Sequence, residues 1–247
     1  MNQYSPGFSQ MPPIVKNLLI INGLFFLATI AFESTDFSMY EYFSLFYPGS
    51  EPFKSWQVIT HMFMHGGFTH IFFNMFALLM FGSPLEQIWG SKRFLNFYLI
   101  TGFGAAALHT FVNYIEVSSL VNQLSLESID EVKQNGYAAL HQGKNYIDPL
   151  MAELNRKLHV PTVGASGAVY GLLIGFGMLF PNTELMLIFL PVPIKAKYFI
   201  PLLIIGELFL GIGQFRWDNI AHFAHLGGAL FGFLLVRYWK KDQFKRF

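Results

Sequence analysis

Apolar runs long enough to cross a bilayer alternate with polar connections along most of the chain. A hydrocarbon core about 30 Å thick needs roughly 20 mostly apolar residues per helix. Six segments approach that length: Ile14–Phe32, Phe68–Gly82, Phe94–Tyr114, Thr162–Phe180, Tyr198–Gly213 and Ile220–Trp239. The second is short unless it begins nearer His61. The pattern predicts an all-α membrane protein, a bundle of six transmembrane helices forming one domain over residues 1–247. The tail Met1–Pro13 is polar and lacks the basic start of a secretory signal. Because further apolar segments follow it, the first is read as a retained span.

The connections carry the orientation. With the N-terminus inside, the inner side holds Lys16, Lys92, Arg93, Lys195, Lys197, Arg237, Lys240, Lys241, Lys245 and Arg246, whereas the short outer loops hold only Lys54 and Arg216. Ten against two is a clear inside bias and predicts cytoplasmic N- and C-termini. The first loop, Glu33–Thr60, is rich in aromatics (Phe43, Phe46, Tyr47, Phe53, Trp56) and is expected at the membrane interface, where such rings are favoured. The third, Glu116–Pro161, is long and polar and has no run of spanning length. Within it Leu124–Gln134 and Leu150–Leu158 are candidates for short surface helices. It is read as an external insertion, since loop length costs little entropy.

Composition narrows the class. Hydrophobic residues make up 53% of the 247 and charged ones 13%, with 29 phenylalanines. That charged share is about half of what a soluble domain carries, and a soluble fold could not keep so much apolar surface dry. A net charge of +1 makes no case for a nucleic-acid partner, and the absence of cysteine excludes disulfides, thiolate metal sites and a cysteine nucleophile.

Two of the apolar segments carry small residues in register. Gly167, Gly171 and Gly175 recur every four residues on the fourth, and Gly228 and Gly232 do so on the sixth. Such spacing lets helix backbones approach closely in lipid, so these two spans are expected to touch.

Strongly polar side chains inside membranes are rare and mark functional sites by default. On the fourth span, Gly164-Ala165-Ser166-Gly167 opens a helix just after Pro161. A lone intramembrane serine usually bonds its own backbone one turn back. Here it stands between glycines at a helix start, where unpartnered N–H groups can stabilise an anion. Tyr170 lies one turn further on the same face. On the sixth span, His222 and His225 are three residues apart and point roughly the same way. A neutral imidazole is the form a general base needs, and a serine hydroxyl needs such a base to react. On the second span, His70 and Asn74 share a face, and both can donate toward a developing negative charge. His61 and His65 have ligand spacing for a metal, but the glutamate of the zinc-protease pattern is missing. The competing reading is that they pin the outer loop. No acidic partner for a histidine is apparent, because the sixth span contains no Asp or Glu.

Three blocks, in this order, carry a resemblance to a known family. They are His65-Gly-Gly-Phe-Thr-His70-Ile-Phe-Phe-Asn74, Gly164-Ala-Ser166-Gly167, and Ala224-His225-Leu-Gly-Gly228 with Gly232. A four-residue GxSG alone is weak; three blocks in this order, on the second, fourth and sixth spans, are specific. From the first span to the sixth the chain resembles the rhomboid intramembrane serine proteases.

The resemblance implies Ser166 as nucleophile and His225 as base. His70, Asn74 and the Ser166 N–H become the oxyanion hole, and Tyr170 packs on the base. Glu86 resembles an acidic residue that anchors the cytoplasmic end after the second span. His222 competes with His225 as base, but Gly228 and Gly232 follow His225 at the family's distances. The implied mechanism is a Ser–His dyad, with His225 oriented by packing against Tyr170, acting on transmembrane protein substrates in the lipid bilayer. They enter sideways, between the first loop and the fifth span. No cofactor or metal is implied. Gln57 departs from the family, many of whose members carry arginine there. Charge bias and size point to a bacterial inner membrane, with organelle membranes as the alternative. The competing functions are an inactive client-binding protein of the same fold, a small proton-coupled transporter, which calls for internal repeats, and a histidine-liganded metal enzyme.

Overall fold

A computed structural model of the protein describes residues 11–187, 190–213 and 220–244. Most of the predicted tail, Arg216, Lys245 and Arg246 lie outside the described residues. Helix α1 (Pro13–Phe32) starts with proline in its first turn, where the missing N–H costs nothing. The first loop then folds into α2 (Met39–Phe43) and α3 (Gln57–Thr60), followed by a single 3₁₀ turn at His61–Phe63. Gln57 is fully buried at the centre of this loop. Its Oε1 accepts from the N–H groups of Phe46 (3.4 Å) and Lys54 (3.1 Å), and its Nε2 donates to the carbonyls of Glu41 and Pro52 (both 3.0 Å). A planar amide with two acceptor and two donor directions closes this loop on itself.

The second span differs from its predicted bounds. Helix α4 (Phe68–Ala77) passes through a π-turn at Leu78–Gly82 into α5 (Ser83–Trp89). The apolar rod thus extends past Gly82 to 22 residues, lengthened at its far end and not toward His61. Pro84 is tolerated because it falls in the first turn of α5, where the preceding π-turn has already interrupted the regular ladder. Helix α6 runs Ser91–Val121, well beyond the predicted Tyr114.

The third loop holds two capped helices. Helix α7 (Leu126–His141) is capped by Ser125 and α8 (Pro149–His159) by Asp148. Between them and the end of α6 lies a small separate core of Val117, Ile129, Val132, Leu154 and Leu158. The pair also leans on the first loop, Tyr137 meeting Phe46 edge to face at 6.0 Å.

Helix α9 (Ser166–Leu179) begins at the serine itself, four residues later than predicted. The preceding Thr162 is paired instead with Leu45, each donating its N–H to the other's carbonyl (2.8 and 2.9 Å). A two-stranded antiparallel sheet, β1 (Glu184–Leu187) with β2 (Leu190–Lys195), follows, and corrects the all-α expectation. Pro191 and Pro193 forbid a helix there, and an edge strand accommodates them. Helices α10 (Ala196–Gly213) and α11 (His222–Phe244) complete the chain.

Among the described residues four helical stretches are long and apolar enough to cross a membrane: Pro13–Phe32, Phe68–Trp89, Ser91–Val121 and Ala196–Gly213. Helix α9 is apolar but only 14 residues long. Helix α11 packs chiefly on α6 and α9, as the glycine registers predict for α9. A Cβ on Gly228 would lie 1.8 Å from the Gly167 carbonyl oxygen, and one on Gly232 would lie 2.9 Å from Gly171. The two backbones touch.

One end of the bundle is tied by Glu86, which is buried. Its carboxylate accepts from the N–H groups of Ile14 (3.0 Å) and Val15 (2.8 Å) and from the Ser91 hydroxyl (2.7 Å). An anion thus caps α1 from a different helix, satisfying donors that a helix start leaves open. Arg93 lies over the Trp239 ring (4.5 Å), and Lys240 donates to the Met178 carbonyl (3.0 Å). The start of α1 and the end of α11 therefore sit at the same end, and Ser166 at the other.

Candidate active site

The turn before α9 aims the serine. Gly164 has φ +122°, a conformation that side chains disfavour, and a Cβ there would come within 2.9 Å of the His70 ring. Its N–H donates to the His61 carbonyl (2.9 Å). His109 of α6, not among the polar residues singled out in the sequence, meets the Thr162 hydroxyl at 2.9 Å and steadies the same segment. Ser166 follows as the first residue of α9, among N–H groups without intrahelical acceptors.

His225 stands across from it on α11, with Nε2 2.9 Å from Ser166 Oγ. The Tyr170 ring stacks on the imidazole, centroids 4.2 Å apart and planes 6° from parallel. The structure brings these three residues together. The expectation that packing alone orients His225 is corrected. His225 Nδ1 lies 3.0 Å from Oε2 of Glu207, on α10.

Glu207 is buried, 8% exposed, and accepts two further hydrogen bonds. Tyr170 donates its hydroxyl to Oε1, and His222 Nδ1 lies 2.6 Å from Oε2. His222 thus contacts the carboxylate and not the serine. A carboxylate can only accept, so the Nδ1 of neutral His225 carries the proton and Nε2 presents its lone pair to Ser166. The missed residue had a signal: a carboxylate in the middle of the apolar run Tyr198–Gly213 meets the same criterion that flagged the histidines. It lies on a different helix from the histidine, so the lack of Asp and Glu in the sixth span gives no sign of it.

His70 occupies the opposite wall. Its Nδ1 accepts from the Gly66 N–H (3.1 Å), which leaves the hydrogen on Nε2, the atom facing Gly164. That tautomer makes His70 a donor beside the Ser166 turn. Asn74 is buried one turn below, its Nδ2 donating to the His70 carbonyl (2.9 Å), and it lines the same cleft as Ser166. Gly167 lets α9 approach Ala105 and α11, since a Cβ there would lie 2.4 Å from the Ala105 methyl.

The cleft has a volume of about 2370 Å³, above the range of small-molecule pockets. Phe73, Phe76 and Met80 form one wall and Phe199, Leu203 and Leu210 the other, with Ser166 and Tyr170 between. Helix α10 flanks it, as predicted for the fifth span. The other flank is α4, and not the aromatic stretch of the first loop, which is folded on itself around Gln57. Glu153, Arg156 and Lys157 of α8 line its mouth, so the insertion reaches the site.

Among the described residues, one cluster offers metal-ligand spacing: Glu207, His222 and His225, with ligand atoms within 4.8 Å of one another. Those atoms already bond one another. The His61–His65 pair is not part of it; His61 Nδ1 lies 2.9 Å from the Gln57 carbonyl and His65 Nδ1 3.3 Å from that of Phe63, contacts within the stretch from Gln57 to His65.

The family model of the Rhomboid domain matches residues 52–123 and 132–241. Among similar curated proteins, RHOMBOID-like protein 6, mitochondrial, of Arabidopsis thaliana is 30% identical over 182 residues, covering 74% of this chain and 43% of the relative. Rhomboid-like protein 19 of the same plant is 26% identical over 240 residues, 96% of this chain and 65% of its own. Rhomboid protein 1, mitochondrial, of Saccharomyces cerevisiae is 24% identical over 184 residues, 74% and 42% respectively. The chain therefore spans less than two thirds of the length of these relatives. Two of the three are mitochondrial by name, and the expectation of a bacterial inner membrane finds no support among them. A matched model covering both polar ends of the bundle, and a serine and histidine in contact across two glycine-faced helices, have one common meaning: this chain belongs to the rhomboid family of multi-pass membrane proteins.

Proposed function

We propose that the protein is an intramembrane serine endopeptidase that cleaves transmembrane proteins through Ser166 and His225. The observation that carries this reading is the 2.9 Å approach of His225 Nε2 to Ser166 Oγ at the floor of a cleft wide enough for a peptide segment. The chain crosses the bilayer six times, with α9 and α11 added to the four apolar stretches of spanning length. The start of α1 and the end of α11, and with them the N- and C-termini, face the cytoplasm, where the lysines and arginines gather. Residues 116–161 form the external part of a single domain. Ser166 then lies toward the outer surface, where water reaches it through the cleft mouth.

A substrate helix enters between α4 and α10, since a spanning segment cannot leave lipid without exposing its backbone. It unwinds locally and offers one carbonyl to Ser166. The Oγ–C bond forms as His225 Nε2 takes the hydroxyl proton. Charge on the carbonyl oxygen is met by His70 Nε2–H, the Asn74 amide and the Ser166 N–H. The C–N bond breaks as Nε2 returns its proton to the leaving amine. Water then attacks the ester carbon, giving a proton to Nε2, which passes it to the departing Ser166 oxygen.

A client-binding relative without activity is the competing reading; the presence of both serine and histidine in contact favours the protease. The test is a fluorophosphonate probe and a model transmembrane substrate, both applied to the purified chain in liposomes. Wild type is labelled and cleaves. Ser166→Ala abolishes both, and His225→Ala lowers both by at least about 10³-fold, within the range set by loss of a serine-protease base. Cleavage surviving in Ser166→Ala would remove the proposal.

A further inference from the structure

Helix α10 contributes more than a wall to the cleft. Its one acidic residue, Glu207, points away from lipid into the crossing of α9 and α11. There its carboxylate is shared by three donors from those two helices: the Tyr170 hydroxyl, His222 Nδ1 (2.6 Å) and His225 Nδ1 (3.0 Å). A buried carboxylate in an apolar span is costly unless its lone pairs are filled. Here they are filled by the general base, by the ring stacked on that base, and by the neighbouring histidine one turn back on α11.

We infer that Glu207 is a positioning residue, the third member of a Ser166–His225–Glu207 relay whose carboxylate is itself held in place by Tyr170 and His222. This rests on the protease reading of Ser166 and His225. Three consequences follow from the geometry. The bond to Nδ1 fixes the tautomer that leaves Nε2 free to accept the Ser166 proton. The negative charge, 3.0 Å from Nδ1, stabilises the imidazolium formed while the tetrahedral intermediate stands. Tyr170 and His222 take one carboxylate oxygen each, so the group cannot rotate away from His225. Because α10 also walls the cleft, a substrate that displaces α10 acts directly on the alignment of the base.

The opposing interpretation is a structural staple joining α9, α10 and α11. The two differ in which quantity moves. Glu207→Gln keeps one acceptor and nearly the same shape, so the staple largely survives. The amide removes the charge and can present N–H to Nδ1, favouring the wrong tautomer. In other serine proteases the equivalent carboxylate-to-amide change costs about 10⁴-fold in kcat.

The experiment uses the full chain in liposomes, with the transmembrane model substrate and the fluorophosphonate probe. Glu207→Gln is expected to lower kcat and the labelling rate of Ser166 by about 10²- to 10⁴-fold, the range of a lost carboxylate partner. KM stays within about threefold and the unfolding midpoint close to that of wild type, since a change that acts only in the transition state leaves ground-state binding alone. Glu207→Asp, which restores the charge, recovers at least about a tenth of wild-type kcat. Tyr170→Phe keeps the stacked ring but frees Oε1, and lowers kcat by about 3- to 30-fold, as loss of one hydrogen bond implies.

Glu207→Gln within threefold of wild-type kcat overturns the inference. So does a loss that appears only in KM and the unfolding midpoint, or one that Glu207→Asp fails to relieve. If Glu207→Gln does not fold, the Asp and Phe variants decide: unchanged kcat in Tyr170→Phe with full activity loss in Glu207→Asp indicates a staple. A wild-type chain that is neither labelled nor active defeats the protease reading instead, a result distinct from all of these.

Discussion

At the scale of single residues, the site depends on where hydrogens sit. His70 donates from Nε2 because Gly66 occupies Nδ1, and His225 accepts at Nε2 because Glu207 faces Nδ1. Two histidines of the same chain are thereby held in opposite roles by their backbone and carboxylate neighbours. Gly164 makes the first of these arrangements usable. Any side chain there would be strained at φ +122° and would push against His70. Gly164→Ala is therefore expected to lower kcat by about 10²- to 10³-fold, the cost of a displaced oxyanion donor. Labelling by the small probe should fall in parallel, which kinetics on the folded variant would check. These residues are conspicuous in the sequence, because strongly polar side chains in apolar runs are costly. Their tautomers are not legible, since they depend on groups from other elements.

At the scale of elements, the crossing of α9 and α11 is the joint that brings His225 to Ser166. Its glycines at four-residue spacing predict contact, and the contact is of backbone on backbone. Gly228→Val would place a branched side chain into the Gly167 carbonyl and should destabilise the bundle by about 3 kcal/mol, the upper end of overpacking costs. Gly23→Ala on α1, where a Cβ meets nothing within 4 Å, is the control and should be neutral or slightly stabilising. Unfolding midpoints of the two variants in one detergent measure the difference. The bounds of elements are less legible than their presence. The second span gains length through a π-turn and a tolerated proline. The fourth loses its first four predicted residues to a segment held by Leu45 at Thr162 and by His61 at Gly164, and a proline-rich connection becomes a hairpin of strands. The start of the fourth span is decided by residues distant in sequence, Leu45 and His61, whereas the hairpin follows from prolines within its own stretch.

At the scale of the molecule, two hydrophobic cores lie apart. The larger joins α1, the second span, α6, α9, α10 and α11, whereas the smaller is confined to the end of α6, Tyr47 and the α7–α8 segment. Replacing residues 124–160 with a short Gly/Ser linker should therefore leave the membrane bundle folded, with probe labelling of Ser166 within about threefold of wild type, as expected of a surface segment. Cleavage of a transmembrane substrate should suffer more, mainly through a higher KM, because Glu153, Arg156 and Lys157 line the cleft mouth. Labelling and cleavage measured on one preparation separate the two effects.

By itself the sequence determined the membrane class, the family resemblance and the contact of two glycine-faced spans. Those properties are carried by residue type and local spacing, which need no partner to be read. The tertiary structure alone decided that Glu207 meets His225, that α4 and not the first loop faces α10 across the cleft, and that Gln57 closes a loop. Each of these is a meeting of residues from separate segments. Burial there makes the polar contact obligatory, but no single segment reveals which group will supply it.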